Sequence, residues 1–221
     1  MLTLRSQFPI IKRLTTLLPL LIAVLTATGQ PKESEDGWIS LFDGKTLNGW
    51  KANENPETFS VKDGAIQVNG DRSHLFYTGM VGNHDFKNFE LKVDVMTFPN
   101  SNSGIYFHTE YQDQGFPSIG HEVQVNISHT DWKKSGSLYD VINVDKVPAV
   151  DKEWYTQHII VKGKNVRILI NGKLLYEYNE PELKAAPKSG RSISSGTFAL
   201  QGHDPGSKVL FKNIRVKLLP N

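Results

Sequence analysis

The chain has 221 residues, 38% of them hydrophobic and 10% aromatic, which is enough for one sizeable core. With 25 basic and 23 acidic side chains its formal net charge is +2, so no general field draws it to nucleic acid or anionic lipid. It has no cysteine, which excludes disulfides, thiolate metal sites, cysteine nucleophiles and a lipid-modified cysteine behind a leader.

The first 29 residues read as a targeting segment. Arg5, Lys12 and Arg13 make a basic start, an apolar run holding Leu17, Leu18, Leu20, Leu21 and Leu25 follows, and Ala27-Thr28-Gly29 closes it. The run is too short to span a bilayer and has the layout of a cleaved secretory signal. The expectation is a periplasmic or secreted protein, off the membrane once cut, with a polar linker over 30–36 and one folded domain over 37–221.

From residue 37 the pattern is all strand. Trp38-Ile39-Ser40-Leu41-Phe42 ends at Asp43-Gly44, and Leu47-Asn48-Gly49-Trp50-Lys51 returns. Asp63-Gly64 sits between two alternating runs, a strong hairpin signal. Residues 73–77 make a short strand. Residues 89–96 alternate apolar and charged positions, as a half-buried antiparallel strand does. Ser101-Asn102-Ser103-Gly104 reads as a break, followed by a strand over 105–110 with Ile105, Phe107 and Thr109 on one face and Tyr106, His108 and Glu110 on the other.

Residues 120–126 alternate strictly. His121, Val123 and Val125 share one face; Glu122, Gln124 and Asn126 share the other, about 7 Å apart per two-residue step. A carboxylate and two amides in a row suit a ligand with many hydroxyls, although a solvated strand face has the same pattern. Residues 136–141 read as a strand edge. Gly163-Lys164 and Asn171-Gly172 turn three further runs, residues 181–191 make a polar loop, and 196–201 and 209–216 are the last strands. Without an amphipathic helix, the fold class is all-β: a single-domain, two-sheet antiparallel β-sandwich of the jelly-roll type.

Several titratable side chains fall on candidate inner faces: His108, Glu110, Glu122, Asp140 and His203. If their strands are neighbours, these converge with Asn102, Tyr106, Gln124 and Gln201 on one surface. Sugar sites are built in this way, with carboxylates and amides on hydroxyls and aromatic rings on the apolar sugar face. Trp132 and Tyr139 are the candidate ring platforms. No cofactor or site metal is expected; a structural calcium at Asp43, Asp63 or Asp204 is the weaker reading, since no spaced acidic loop stands out. No Gly-x-Ser-x-Gly nucleophile elbow occurs.

Several ordered segments carry a family resemblance. The opening run 38–50 is one, followed by Asn102-Ser103-Gly104-Ile105-Tyr106-Phe107 and Glu122-Val123-Gln124-Val125. Gly136-Ser137-Leu138-Tyr139-Asp140, Glu153-Trp154, Asn171-Gly172, Leu200-Gln201-Gly202-His203 and Phe211-Lys212-Asn213-Ile214-Arg215 complete the set. Over about 37–219 the chain resembles the 3-keto-disaccharide hydrolase domain family, bacterial proteins with a concanavalin-like jelly roll. It departs from the family pattern at His108, where arginine is frequent, and at Gly202, where an acid is frequent.

The resemblance implies a carbohydrate-active enzyme that cleaves glycosides with a ketone at carbon 3. A ketone acidifies the neighbouring C2 proton, a base removes it, the enolate expels the group on C1, and water adds afterwards. On this reading Glu122 is the base or acid, His108 or His203 its counterpart, and Gln124 and Gln201 bind hydroxyls or the enolate. The rivals are a carbohydrate-binding module without catalysis, an ordinary glycosidase on unoxidised glucan, and a structural surface protein.

Overall fold

The computed structural model describes residues 36–182 and 191–220. The signal segment expected over 1–29, nearly all of the linker and most of the loop expected over 181–191 lie outside the described residues. The strands in chain order are β1 (Ile39–Ser40), β2 (Trp50–Ala52), β3 (Phe59–Lys62), β4 (Ala65–Val68), β5 (Ser73–Tyr77), β6 (Phe89–Thr97), β7 (Ser103–Thr109), β8 (His121–Val125), β9 (Tyr155–Lys162), β10 (Asn165–Ile170), β11 (Lys173–Asn179), β12 (Thr197–Gly202) and β13 (Val209–Leu218).

They form two antiparallel sheets, a β-sandwich of the jelly-roll type. One sheet has eight strands in the order β11-β10-β9-β6-β13-β4-β3, with β1 also paired to β13; the other has five in the order β2-β5-β12-β7-β8. The hairpin turns have a simple cause. Asp63 and Gly64, and again Asn171 and Gly172, all take positive φ, as a turn matching the right-handed strand twist requires.

The two sheets behave differently. β6 alternates as its sequence predicts: Phe89, Leu91, Val93 and Val95 are buried in the core, while Glu90, Lys92, Asp94 and Met96 face outward. β5, β7, β8 and β12 are buried along their whole length, so both faces of the five-stranded sheet are covered. Its inner face supplies Leu75, Ile105, Phe107, Val123, Val125, Phe198 and Leu200 to the common core. Its outer face carries a small apolar group of Phe76, Tyr106 and Ala199, with Tyr111 packed on it. The polar outer face is therefore roofed by loops rather than solvated, and its polar groups must find partners in protein or ligand.

Two expectations are corrected here. Ser103 and Gly104 do not break the chain; they lie inside β7, paired with Val125 and Gln124. Residues 136–141 form no named strand, yet they run along the β8 edge through Gly136 N–H to Gln124 O and Tyr139 N–H to Glu122 O, at 3.0 and 2.9 Å.

Candidate active site

Glu122 lies at the floor of a cavity of about 290 Å³ on the outer face of the five-stranded sheet. Strand period explains its place: Val123 and Val125 go to the core, which sends Glu122 and Gln124 outward. The Tyr106 hydroxyl donates to Glu122 Oε2 at 2.8 Å, and Gln201 Nε2 donates to Glu122 Oε1 at 3.3 Å and to the Tyr106 oxygen at 3.1 Å. These three come from β8, β7 and β12, adjacent strands. Gln124 Nε2 donates to Asn102 Oδ1 at 3.0 Å. Two buried acceptors around the floor, Gln124 Oε1 and Gln201 Oε1, have no protein partner.

The electrostatics suit a proton acceptor. Burial pushes the Glu122 carboxyl up to about 7, against the hydrogen bond from Tyr106, the Arg191 charge and the hydrogen bond from Gln201, which all work downward. Burial, with the adjacent carboxylate, pushes the Tyr106 phenol well up, so Tyr106 stays a donor. A carboxyl poised near neutrality, with one donor on each oxygen to orient it and a second lone pair left on each to take a proton, is what base catalysis at pH 7 needs.

The rim is built by loops. His203 lines the cavity, and its Nδ1 lies 2.7 Å from Asp204 Oδ2. Burial acts to raise the Asp204 carboxyl, but hydrogen bonds from His203, Ser207 and Gly206 outweigh it and hold the group below the usual range. An ionised Asp204 accepts from Nδ1–H and leaves His203 Nε2 to exchange a proton. Phe116, Asp131, Tyr139 and Arg191 also line the cavity. Arg191 Nη1 donates to Tyr139 O at 3.2 Å. Tyr139 is not an open platform, since the Lys133 ammonium sits 3.7 Å from its ring centroid.

Residues 37–217 match the 3-keto-alpha-glucoside-1,2-lyase-like domain. The chain belongs to this family. A 3-keto-disaccharide hydrolase of Bacteroides thetaiotaomicron is 29% identical over 236 residues, covering 83% of this chain and 79% of the relative. A candidate glycosyl hydrolase from Parabacteroides distasonis superposes with a TM-score of 0.67 at 24% identity, over 84% of this chain and 95% of that one. The carbohydrate-binding module CBM66 of Bacillus subtilis superposes at 0.56 and 14% identity, over 76% and 95%. These last two likenesses speak for the jelly roll alone. Family membership makes the chain a glycoside-hydrolase-like, carbohydrate-active enzyme.

Against this family frame, Glu122, His203, Gln124, Tyr106, Asn102, Tyr139 and Gln201 are gathered around one cavity. His108, Asp140 and Trp132 are not among its lining residues. His108 takes φ 54 at a register slip where β7 has one residue more than β12, so it leaves the outer face. Its ring packs edge-on against Phe89 and Phe107, at 5.6 and 5.1 Å between centroids. Burial pushes it down to about 4, which keeps it neutral. Its Nδ1 accepts from Ser194 N–H at 3.0 Å, so the proton sits on Nε2 and points to Lys87 O at 3.1 Å. His108 thus docks the 191–196 segment. Glu180 does the same one residue earlier, accepting Ile193 N–H at 2.9 Å and pairing with Lys164 Nζ at 2.7 Å.

Asp140 is exposed and paired with Lys133 Nζ at 2.6 Å, and Trp132 is 57% exposed. Asn126, expected as the third polar group of the row, instead holds the following loop. Its Nδ2 donates to Asp131 O and Lys133 O, and its Oδ1 accepts from His129 N–H. Two of the three carboxylates considered for calcium have local uses: Asp43 accepts from Lys45 N–H, Thr46 N–H and the Thr46 hydroxyl, and Asp204 is taken up by His203, Ser207 and Gly206. Among the described residues no group of three or more histidines and carboxylates could hold a metal ion.

Sequence reasoning missed Arg191, Phe116 and Asp131: the first two are on loops whose course depends on long-range docking bonds, the third on a loop held locally by Asn126. His108→Ala is expected to lower unfolding free energy by about 2 kcal/mol, because it orphans the Ser194 N–H and opens a hole beside Phe89. Denaturant unfolding measures this, and the loss in turnover should be smaller than that for any change at Glu122.

Proposed function

We propose that the chain cleaves glycosidic bonds of 3-keto-glycosides, disaccharides among them, by elimination across C1 and C2 followed by hydration. The observation that carries the reading is the buried Glu122 carboxyl, pushed up to about 7 and braced by Tyr106 and Gln201 at the cavity floor. The family description names a 1,2-lyase and the Bacteroides relative is named a hydrolase. Elimination followed by water addition reconciles the two names in one route.

The steps assign each residue a task. Glu122 takes the C2 proton, and the electron pair forms the C2=C3 enolate with its charge on the C3 oxygen. Arg191, whose charge already reaches Glu122, offsets that developing charge. As the ketone re-forms, the pair moves to C1=C2 and the C1–O bond breaks. His203, oriented by Asp204, gives a proton to the leaving oxygen. Water then adds its hydroxyl to C1 and gives its other proton back to His203, while Glu122 returns a proton to C2. The unpartnered Gln124 Oε1 accepts a sugar hydroxyl. Export through the 1–29 leader would place this activity in the periplasm or outside the cell.

The test is incubation with a 3-keto-disaccharide and with its unoxidised parent in D2O. Cleavage of the keto sugar only, with deuterium entering C2 above the enzyme-free control, is the expected result. Cleavage of the unoxidised sugar, cleavage without C2 label, or binding without cleavage overturns it.

A further inference from the structure

His74 is the most anomalous polar group near the cavity. It lies on β5, its residue is 0% exposed, and neither ring nitrogen has a hydrogen-bond partner. Burial holds it down to about 3, so it is a neutral imidazole with one donor and one acceptor unused. Leaving such groups unpaired costs about 1–3 kcal/mol each, a cost that a core position would not retain without a use. A neighbour extends the anomaly. Gln201, paired with His74 from the neighbouring strand β12, keeps Oε1 unpartnered. Two orphaned polar side chains, His74 and Gln201, thus sit side by side on neighbouring strands, next to Tyr106, whose ring lies 5.4 Å from that of His74.

His74 is packed by two rings that line the cavity, Tyr106 and Phe116. Phe116 packs edge-on against it, centroids 5.5 Å apart, yet the Phe116 residue is 46% exposed. Its loop is braced internally by Gln112, which donates to Gln114 O and Phe116 O and accepts from Ser118 N–H. One further bond ties it down, Gly115 N–H to Glu54 Oε1 at 3.1 Å. Turning this half-exposed ring outward gives up its contacts with His74, with His203 at 6.0 Å between centroids and with the Arg72 guanidinium 5.3 Å from its centroid, and frees its face as a stacking surface. The present cavity, about 290 Å³, is at the small end of the ~300–1,000 Å³ typical of ligand pockets. It suits one sugar ring better than two.

We propose that His74 and Gln201 form a second sugar subsite beside Glu122, gated by Phe116, which takes the leaving-group sugar of a disaccharide. The proposal rests on the 3-keto-glycoside reading for its assignment to the leaving group, while the subsite itself stands on the orphaned groups. A sugar supplies vicinal hydroxyls that donate and accept in turn, which matches a neutral imidazole beside an amide oxygen. The apolar sugar face would lie on the displaced Phe116 ring.

The experiment compares a 3-keto-disaccharide with the methyl 3-keto-glycoside, which lacks a second ring. In His74→Leu the selectivity, kcat/KM for the disaccharide over that for the methyl glycoside, should fall about three- to tenfold, the size of one lost neutral hydrogen bond. His74→Gln, which keeps a donor and an acceptor, should recover part of it, and Phe116→Ala should lower it as well. His74→Leu should also melt higher than the parent, since it removes an orphaned polar group. A merely structural histidine predicts unchanged selectivity in all three variants, and that result overturns the subsite. If the parent cleaves neither keto sugar, the function reading fails by itself. The subsite is then read from the His74 imidazole resonances of 15N-labelled protein on adding disaccharide: a shift upholds it, and no shift removes it.

Discussion

Glu122→Gln should reduce kcat on a 3-keto-glycoside by about 10²–10⁴, the range for loss of a general base. The amide is nearly isosteric and can still accept from Tyr106, so the cavity keeps its shape while the proton acceptor is gone. Steady-state kinetics on the methyl 3-keto-glycoside read the loss without complication from a second ring. Parent kcat/KM should climb as pH rises through about 7, the value to which burial pushes this carboxyl. A flat profile across pH 6–8 with full activity in the Gln variant would remove Glu122 from the chemistry.

The same substitution should stabilise the protein, and the sign can be worked out. The folded-state value lies above the ordinary 4.5 of a glutamate, so between 4.5 and about 7 the native state holds a proton that the unfolded chain has released. Stability must fall with rising pH wherever the native state binds more protons. Glu122 therefore costs nothing at pH 4 and, above pH 7, on the order of 3 kcal/mol. The Gln variant escapes this cost. Its excess in Tm over the parent should be small at pH 4.5 and reach a plateau above pH 7. Loss of turnover together with gain of stability is what a functional buried charge produces, and a surface glutamate would produce neither.

The readable part of the chain was the part governed by local rules. The Asp63-Gly64 and Asn171-Gly172 turns need only positive φ at two adjacent residues, and both hairpins follow. The Glu122 and Gln124 row needs only the strand period. His108 was misplaced because one inserted residue in β7 reverses the facing of everything beyond it. The signs of that bulge are remote: a Cβ at Gly120 would lie 2.4 Å from Phe107 O, and one at Gly196 2.4 Å from Thr109 O. These two glycines make room for the irregular backbone at 107–109, and neither is near it in the sequence. Arg191 and Phe116 were hidden for a related reason. Their positions depend on Glu180 meeting Ile193 N–H and on Glu54 meeting Gly115 N–H, pairings that no periodicity announces. His74 belongs to a strand buried on both faces, where alternation carries no information.

Gly104 shows how closely the backbone and Glu122, the proposed base, fit together, and Gly104→Ala should damage the enzyme while sparing the fold. A Cβ at this position would lie 2.3 Å from Glu122 Oε1 and 2.8 Å from both its Cγ and Cδ. Such distances cannot stand, so Glu122 must swing away. Its bonds from Tyr106 and Gln201, at 2.8 and 3.3 Å, are then lost. A strand glycine with this close approach is a space reserved for a neighbour, which explains why a chain-break signal occurs inside β7. Misplacing a reacting group by about 1 Å costs on the order of 10² in rate, so kcat/KM should fall by about that factor. Alanine itself suits an extended strand, and the core face at Ser103 and Ile105 is untouched. The melting temperature should therefore move far less than the activity. The 13C titration of the Glu122 carboxyl provides the deciding measurement, because its midpoint must leave the neighbourhood of 7 once the carboxylate changes surroundings. Parent-like turnover in Gly104→Ala, with that midpoint unchanged, would mean that Glu122 does not occupy the place in which its chemistry has been argued.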